Sequence, residues 1–275
     1  MTRIAYVSTY VPQKCGIATY TYHLRHAVNG AKGWRSKDPV VVLSKNPDAS
    51  EYDPLLWPLS RDNAEEYVKM ARKINLSDVD VVSLQHEFGI FGGEAGEYVL
   101  SFIRHLHKPL VTTFHTVFER PEPPYFSIQQ EIAEKSKIII VMNRKAITYL
   151  RDAFEVPEEK ICFIPHGTPV PAPDQRQLWR KNLNWEKRKV LMTFGLLSRG
   201  KGLELILNIL PEIARQVPDV LYAIVGQTHP EVKRREGERY REELKELIGK
   251  KGMEEHVVMI DRYMEESELI QHLTA

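Results

Sequence analysis

From Gly195 to Gly202 the chain reads Gly-Leu-Leu-Ser-Arg-Gly-Lys-Gly, with three glycines, one serine and two cations in eight residues. Glycines let backbone N–H groups come close to a ligand, and the start of a helix carries partial positive charge. Gly195, Arg199 and Lys201 could therefore hold a phosphate or diphosphate, with Lys201 adding a full charge at the mouth of the turn. The competing reading is a tight strand-to-helix turn with solvated cations, because a glycine-rich turn is a weak motif without its context.

Other chemically capable residues fall in short polar stretches behind apolar runs. Gly16 sits where a helix begins, in Ser8-Thr9-Tyr10-Val11-Pro12-Gln13-Lys14-Cys15-Gly16, so its backbone could face a ligand or simply close a helix turn. His86 and Glu87 stand beside three glycines in Gln85-His86-Glu87-Phe88-Gly89-Ile90-Phe91-Gly92-Gly93, which reads as a cleft loop. Gly92-Gly93-Glu94-Ala95-Gly96 lacks the G-x-G spacing of a dinucleotide fingerprint, and that reading is rejected. His115 ends the run Thr112-Thr113-Phe114, where it is either a core histidine or a catalytic one. Asn143 and Arg144 form a helix cap with a solvated cation, or an anion contact. Ile164-Pro165-His166-Gly167 reads as a hinge before a ligand contact, and Gln227-Thr228-His229-Pro230, after Gly226, as a proline-bounded turn. No two histidines stand four residues apart, the spacing of a helical zinc pair, and no GxSxG and no P-loop occur, so no metal site or serine nucleophile is expected.

These residues need strands to carry them. Apolar runs predict strands at Ile4–Ser8, Val40–Leu43, Val79–Leu84, Pro109–Phe114, Ile138–Met142 and Ile161–Ile164. Helical spacing predicts helices at Ile17–Val28, Asp62–Ile74, Glu94–Leu106, Ile128–Lys135 and Arg144–Ala153. Alternation of this kind gives a parallel sheet with helices on both faces, over residues 1–170. Pro169, Pro171 and Pro173 open a polar linker, 171–189. The pattern restarts over 190–275, with strands at Val190–Phe194, Val220–Val225 and Val257–Ile260. Its helices span Gly202–Val217, with a kink or break expected at Pro211, then Glu231–Lys251 and Glu265–Ala275. The expected fold is α/β, with two doubly wound parallel-sheet domains, the second incomplete at three strands. Ligands of such sheets bind at the carboxyl ends of strands, where all the residues above lie.

Bulk properties narrow the partners. Thirty-eight basic and 37 acidic residues leave a net charge of +1, which provides no whole-surface field for nucleic acid or an anionic membrane. Membrane contact is expected to be peripheral at most, since no apolar segment approaches the length of a span. Cys15 and Cys162 are far apart and read as two reduced thiols, so a cytoplasmic location is expected.

Taken in order, Gln85–Gly93, Thr112–Val117, Ile164–Gly167, Phe194–Gly202 and Gly226–Pro230 resemble the retaining glycosyltransferases of family 4 (glycosyltransferase group 1). The resemblance implies a GT-B fold of two facing Rossmann-like domains, the first on the acceptor side and the second on the donor side. It implies a nucleotide-diphosphate sugar, UDP- or GDP-linked, as donor, a hydroxyl acceptor and no cofactor. Gly16, Gly195, Arg199, Lys201 and Gly226 would be donor-binding, His115 and Lys201 catalytic, and His86 and Arg144 acceptor-binding.

Two departures accompany the resemblance. The family's Gly-Arg is Gly195-Leu196 in this chain, with Arg199 as the substitute cation. Its E-x7-E carboxylates are expected downstream of Ala275. The alternative is therefore a non-catalytic sugar-nucleotide-binding or assembly module, its second sheet completed by another segment or by a second copy in a homo-oligomer.

Overall fold

The structure is a computed structural model and describes residues 1–33, 37–45, 53–168 and 173–275. It divides into two compact units, Met1–Gly167 and Thr168–Ala275, each taken by itself below. Pro169 and Pro171 of the expected linker lie outside the described residues.

The first unit is built on a seven-stranded sheet. Its strands are β1 (Ile4–Ser8), β2 (Val40–Ser44), β3 (Leu56–Ser60), β4 (Val81–His86), β5 (Leu110–Phe114), β6 (Ile138–Val141) and β7 (Ile161–Phe163). They run in the order β3-β2-β1-β4-β5-β6-β7 with every pair parallel. Apolar strand residues such as Val7, Val41, Leu84 and Ile139 are buried with helix residues such as Ile74, Phe102 and Ile132 in one continuous core. Helices α1 (Gly16–Ala31), α2 (Ala64–Leu76), α3 (Tyr98–His105), α4 (Tyr125–Lys135) and α5 (Arg144–Phe154) connect the strands.

One strand had no clear sequence signal. β3 contains Pro58, which reads as a breaker; β3 is an edge strand, where a missing ladder N–H is tolerated. The helix expected from Glu94 begins only at Tyr98, because Gly93, Ala95 and Gly96 all have positive φ and cannot start it.

The second unit holds a three-stranded parallel sheet in the order β10-β9-β8. These strands are β8 (Lys189–Phe194), β9 (Val220–Val225) and β10 (Val257–Ile260), accompanied by α6 (Arg176–Asn182), α7 (Leu203–Gln216), α8 (Pro230–Glu236), α9 (Arg239–Lys251) and α10 (Glu266–Thr274). The order reproduces one half of a doubly wound sheet. Among the described residues no strand pairs with the outer edge of β8, and Leu191 and Phe194 on that strand are 43% and 44% exposed. The α/β expectation with an incomplete second domain therefore holds.

Three details correct the sequence reading. Residues 176–189 are part of the second unit rather than a free linker. Trp185 is buried against Leu221, Ala223 and Val225, and Arg180 donates to the carbonyl of Ala275 at 2.6 Å. Helix α7 runs through Pro211 without a break, because Leu203, Leu207 and Leu210 bury its inner face. The expected helix Glu231–Lys251 is two helices, divided at Gly237 with φ +64°. Among the described residues no helix is long and apolar enough to cross a membrane.

Candidate functional site

In the first unit the strand order reverses direction between β1 and β4, and an open α/β sheet binds ligands in the crevice at that switch point. Helix α1 follows β1 and starts at Gly16. Among the described residues no side chain caps its first turn, and no acidic residue lies in that turn. The first N–H groups of such a helix have no intrahelical partner and, with the helix dipole, attract an anion. A Cβ at Gly16 would meet nothing within 4 Å, so the space above that turn is open.

One turn along α1, the Tyr20 ring lies edge-on to His115 at 4.9 Å between centroids and to His166 at 5.3 Å. His115 follows β5, and its Nε2 lies 3.1 Å from Oε1 of Gln85, a fully buried residue of β4. Burial, with His166 nearby, pushes the His115 pKa down to about 4, so the ring is neutral near pH 7. The loop that carries His115 is anchored on both sides. Thr116 donates its hydroxyl to Glu87 at 2.6 Å, and Gln129 donates to the Thr116 carbonyl at 2.8 Å. Beside it is a cavity of about 270 Å³ lined by His115, Thr116, Val117, Met142, Asn143 and Tyr149.

His86 requires a correction. Its side chain is fully buried among the rings of Phe88, Phe91 and Phe114, and among the described residues neither ring nitrogen has a partner, so it does not reach an acceptor. Burial, reinforced by His115, pushes its pKa down to about 3. What it contributes is a backbone carbonyl, which accepts the N–H of His115 at 3.0 Å. Strand alternation decides this: a one-residue step from Gln85 to His86 turns the side chain to the opposite face. Arg144 is exposed at the start of α5 with its guanidinium 4.4 Å from the Phe163 ring centroid, while Asn143 caps the helix by accepting from the N–H of Lys145.

In the second unit the glycine-rich stretch leaves the carboxyl end of β8. The Lys201 ammonium donates to the Phe194 carbonyl at 2.9 Å. Gly195 has φ +105°, and a Cβ there would stand 2.9 Å from the Lys201 nitrogen. Gly226, after β9, has φ +139°, and a Cβ there would fall 2.1 Å from the Gly195 carbonyl oxygen. The two loops are thus packed backbone to backbone, and two further bonds join them: Leu197 N–H to Gln227 and His229 N–H to Leu197, both 2.9 Å.

Gly195 and Gly226, both expected to be donor-binding, are engaged with their neighbours in this packing. Their N–H groups already donate to Val225 and Ile260, at 2.9 Å each. The two glycines make room, Gly195 for the ammonium group and Gly226 for Gly195. Arg199, also expected to be donor-binding, faces two acidic side chains. It pairs with Glu243 at 2.7 Å and Glu236 at 3.3 Å, and its guanidinium lies over the Tyr240 ring. Two carboxylates already balance its charge, which leaves Lys201 as the cation beside Gly195.

Sequence reasoning did not select Gln85, Tyr20 or His166 as site residues, nor Arg241. Gln85 lies inside the stretch Gln85–Gly93, and Tyr20 shares helical spacing with Ile17, Leu24 and Val28, which marks it only as one more position on a helix face. Arg241, on α9, is almost fully buried and donates to the Gly226 carbonyl at 3.0 Å and to Asp261 at 2.6 Å, holding the loop after β9. Nothing in its local sequence separates it from the other charges of α9. Among the described residues no three His, Cys, Asp or Glu side chains form a metal-binding group.

Comparison with known proteins agrees with this architecture. Over 133 residues the chain is 28% identical to the GDP-mannose-dependent alpha-(1-6)-phosphatidylinositol monomannoside mannosyltransferase of Mycolicibacterium smegmatis. That match covers 47% of this chain and 32% of the relative, so the chain spans about a third of that protein. The structure of Anabaena Alr3699/HepE in complex with UDP and glucose superposes with a TM-score of 0.70 at 15% identity, over 99% of this chain and 72% of that one. A glycosyltransferase from Rickettsia africae gives 0.68 at 15% identity, over 99% and 70%. At such identities the two structures share the fold, which is GT-B. The Glycosyl transferases group 1 profile matches residues 175–275, and the Glycosyltransferase Family 4 profile matches residues 16–170, more than half of the chain. The chain therefore belongs to glycosyltransferase family 4.

Proposed function

We propose that this protein is a retaining glycosyltransferase that moves a hexosyl group from a nucleotide-diphosphate sugar to a hydroxyl acceptor. The observation that carries the reading is the Lys201 ammonium, fixed on the Phe194 carbonyl at the end of β8, beside a glycine that leaves it uncovered. The bond from the sugar's anomeric carbon to the diphosphate breaks, and a bond to the acceptor oxygen forms on the same face. The acceptor's proton leaves with the diphosphate. Negative charge grows on the leaving group, and a preorganised cation stabilises it most where it develops. Lys201 supplies that charge without a metal, and transfer between two oxygens is redox-neutral and needs no cofactor.

Gly16, at the uncapped start of α1, is proposed as a further donor-binding group, because it presents N–H groups to open space. His115 is proposed to touch the transferred sugar. The acceptor is proposed to enter by the cavity beside His115, with Arg144 at its margin. A UDP complex in one structural neighbour and GDP-mannose dependence in the curated relative support a nucleotide sugar while leaving the base open.

Turnover of the intact protein over UDP-glucose, UDP-N-acetylglucosamine and GDP-mannose tests this, with the anomeric configuration of the product read by NMR. The expected result is one preferred donor, retention of configuration and activity that survives EDTA. Tight binding of a nucleotide sugar with no product on any acceptor would favour the non-catalytic binding module instead.

A further inference from the structure

A neutral imidazole has one N–H and one lone pair, and the partner of one nitrogen decides the role of the other. Among the described residues the His115 side chain has one hydrogen-bond partner, Gln85, at 3.1 Å. Gln85 is fully buried, and its own orientation is set by Ser83: the amide nitrogen donates to the Ser83 hydroxyl at 3.2 Å, which turns Oε1 toward His115. A carbonyl oxygen can only accept, so His115 must donate from Nε2. Nδ1 then holds the lone pair. Tyr20 and His166 meet the ring through their aromatic edges. Of the charged groups nearby, Glu87 is engaged by Thr116.

We infer that Gln85 is a positioning residue that fixes the tautomer of His115, so that Nδ1 accepts a hydrogen bond from a hydroxyl group of the substrate. This rests on the transferase reading, and it adds a direction to it: His115 recognises a hydrogen-bond donor, not an acceptor. The backbone strengthens the arrangement. The His115 N–H donates to the His86 carbonyl, the next residue after Gln85, so ring and amide are held by the same pair of strands. Replacing Gln85 by Leu leaves a buried Nε2–H without an acceptor, and an unsatisfied buried donor is expensive enough to turn the tautomer over. The proton then moves to Nδ1, and the lone pair is lost to the substrate.

Two variants of the intact protein test this. Long-range 1H–15N correlation spectra assign the protonated nitrogen of His115 without any substrate. The native ring is expected to show Nε2 protonated, and Gln85→Leu to show Nδ1 protonated, with kcat lowered about 10-fold or more. Gln85→Glu places a carboxylate beside Nε2, so the imidazole becomes doubly protonated near neutrality. Its kcat–pH profile should gain an acid limb, with activity recovered as pH rises above that limb. A purely structural role would not move that limb. Protonation on Nδ1 in the native protein, or an unchanged tautomer in a folded Gln85→Leu, overturns the inference. A tautomer that changes while kcat does not overturns its link to the substrate. If the native protein transfers no sugar at all, the transferase reading fails, and the spectra still decide what Gln85 does to His115.

Discussion

The nitrogen of Lys201 occupies the space beside Gly195, 2.9 Å from where that residue's Cβ would stand. The same nitrogen donates to the preceding carbonyl, Phe194, at 2.9 Å. An exposed lysine is thereby held in one place at the carboxyl end of a strand, the position from which an α/β sheet presents its ligand contacts.

Lys201→Ala should weaken UDP or GDP binding by about 1.5–3 kcal/mol, roughly 10–100-fold, as for a lost hydrogen bond to a charged group. Thermal stability should change little, because the side chain is exposed. Calorimetric titration reads the affinity; equal affinity in the variant removes Lys201 from the site.

Gly226→Ala and Gly195→Ala should differ in a defined order. Both positions have positive φ, which strains any side chain by about 1–3 kcal/mol. At Gly195 the obstructing atom is the mobile end of Lys201; at Gly226 it is the backbone carbonyl of Gly195, 2.1 Å away. Gly226→Ala should therefore lower the melting temperature more than Gly195→Ala, and a reversed order in thermal melts would refute the interlocked arrangement of the two loops.

Gly16→Ala separates binding from stability. The added methyl meets no protein atom within 4 Å, and alanine favours a helix over glycine by up to about 1 kcal/mol. The variant should melt at the same temperature or slightly higher. Its affinity for nucleotide sugars should fall several-fold, because the methyl stands where an anion would approach the helix start. Unaltered affinity would leave α1 with no part in donor binding.

Acid should destabilise the first unit through its two depressed histidines. The unfolded chain protonates His86 and His115 below about pH 6.5. The folded protein resists until about 3 at His86 and about 4 at His115. Between those limits the unfolded state binds more protons, so stability rises with pH and is lost on acidification from about 6.5 towards 4. His86→Phe keeps the aromatic packing, removes one of the two groups and should flatten that loss. Urea midpoints measured at pH 7 and pH 5 give the comparison, and equal slopes for native and variant protein would exclude His86 as a source.

Much of the architecture was legible along the chain, because the signals that define it are local. Runs such as Val220–Val225 and the spacing of Leu203, Leu207 and Leu210 predict their elements from neighbours a few residues away. A parallel α/β order then places the loops after β1, β4, β5 and β8 at the strand ends that bind ligands. β3 escaped because Pro58 is tolerable only at a sheet edge, and edge position is a property of the finished sheet.

By itself the sequence determined the fold class, the family resemblance and the loops in which Gly16, His115 and Lys201 lie. Only the tertiary structure decided what the individual side chains do. His86 and His115 both sit at strand ends, yet one is sealed among three phenyl rings and the other bonds Gln85 from the neighbouring strand. Arg199 and Lys201 are two residues apart, yet Glu236 and Glu243, about forty residues further on, neutralise the first and leave the second. Burial, pairing and tautomer arise from contacts between residues far apart in the chain, and no local pattern encodes them.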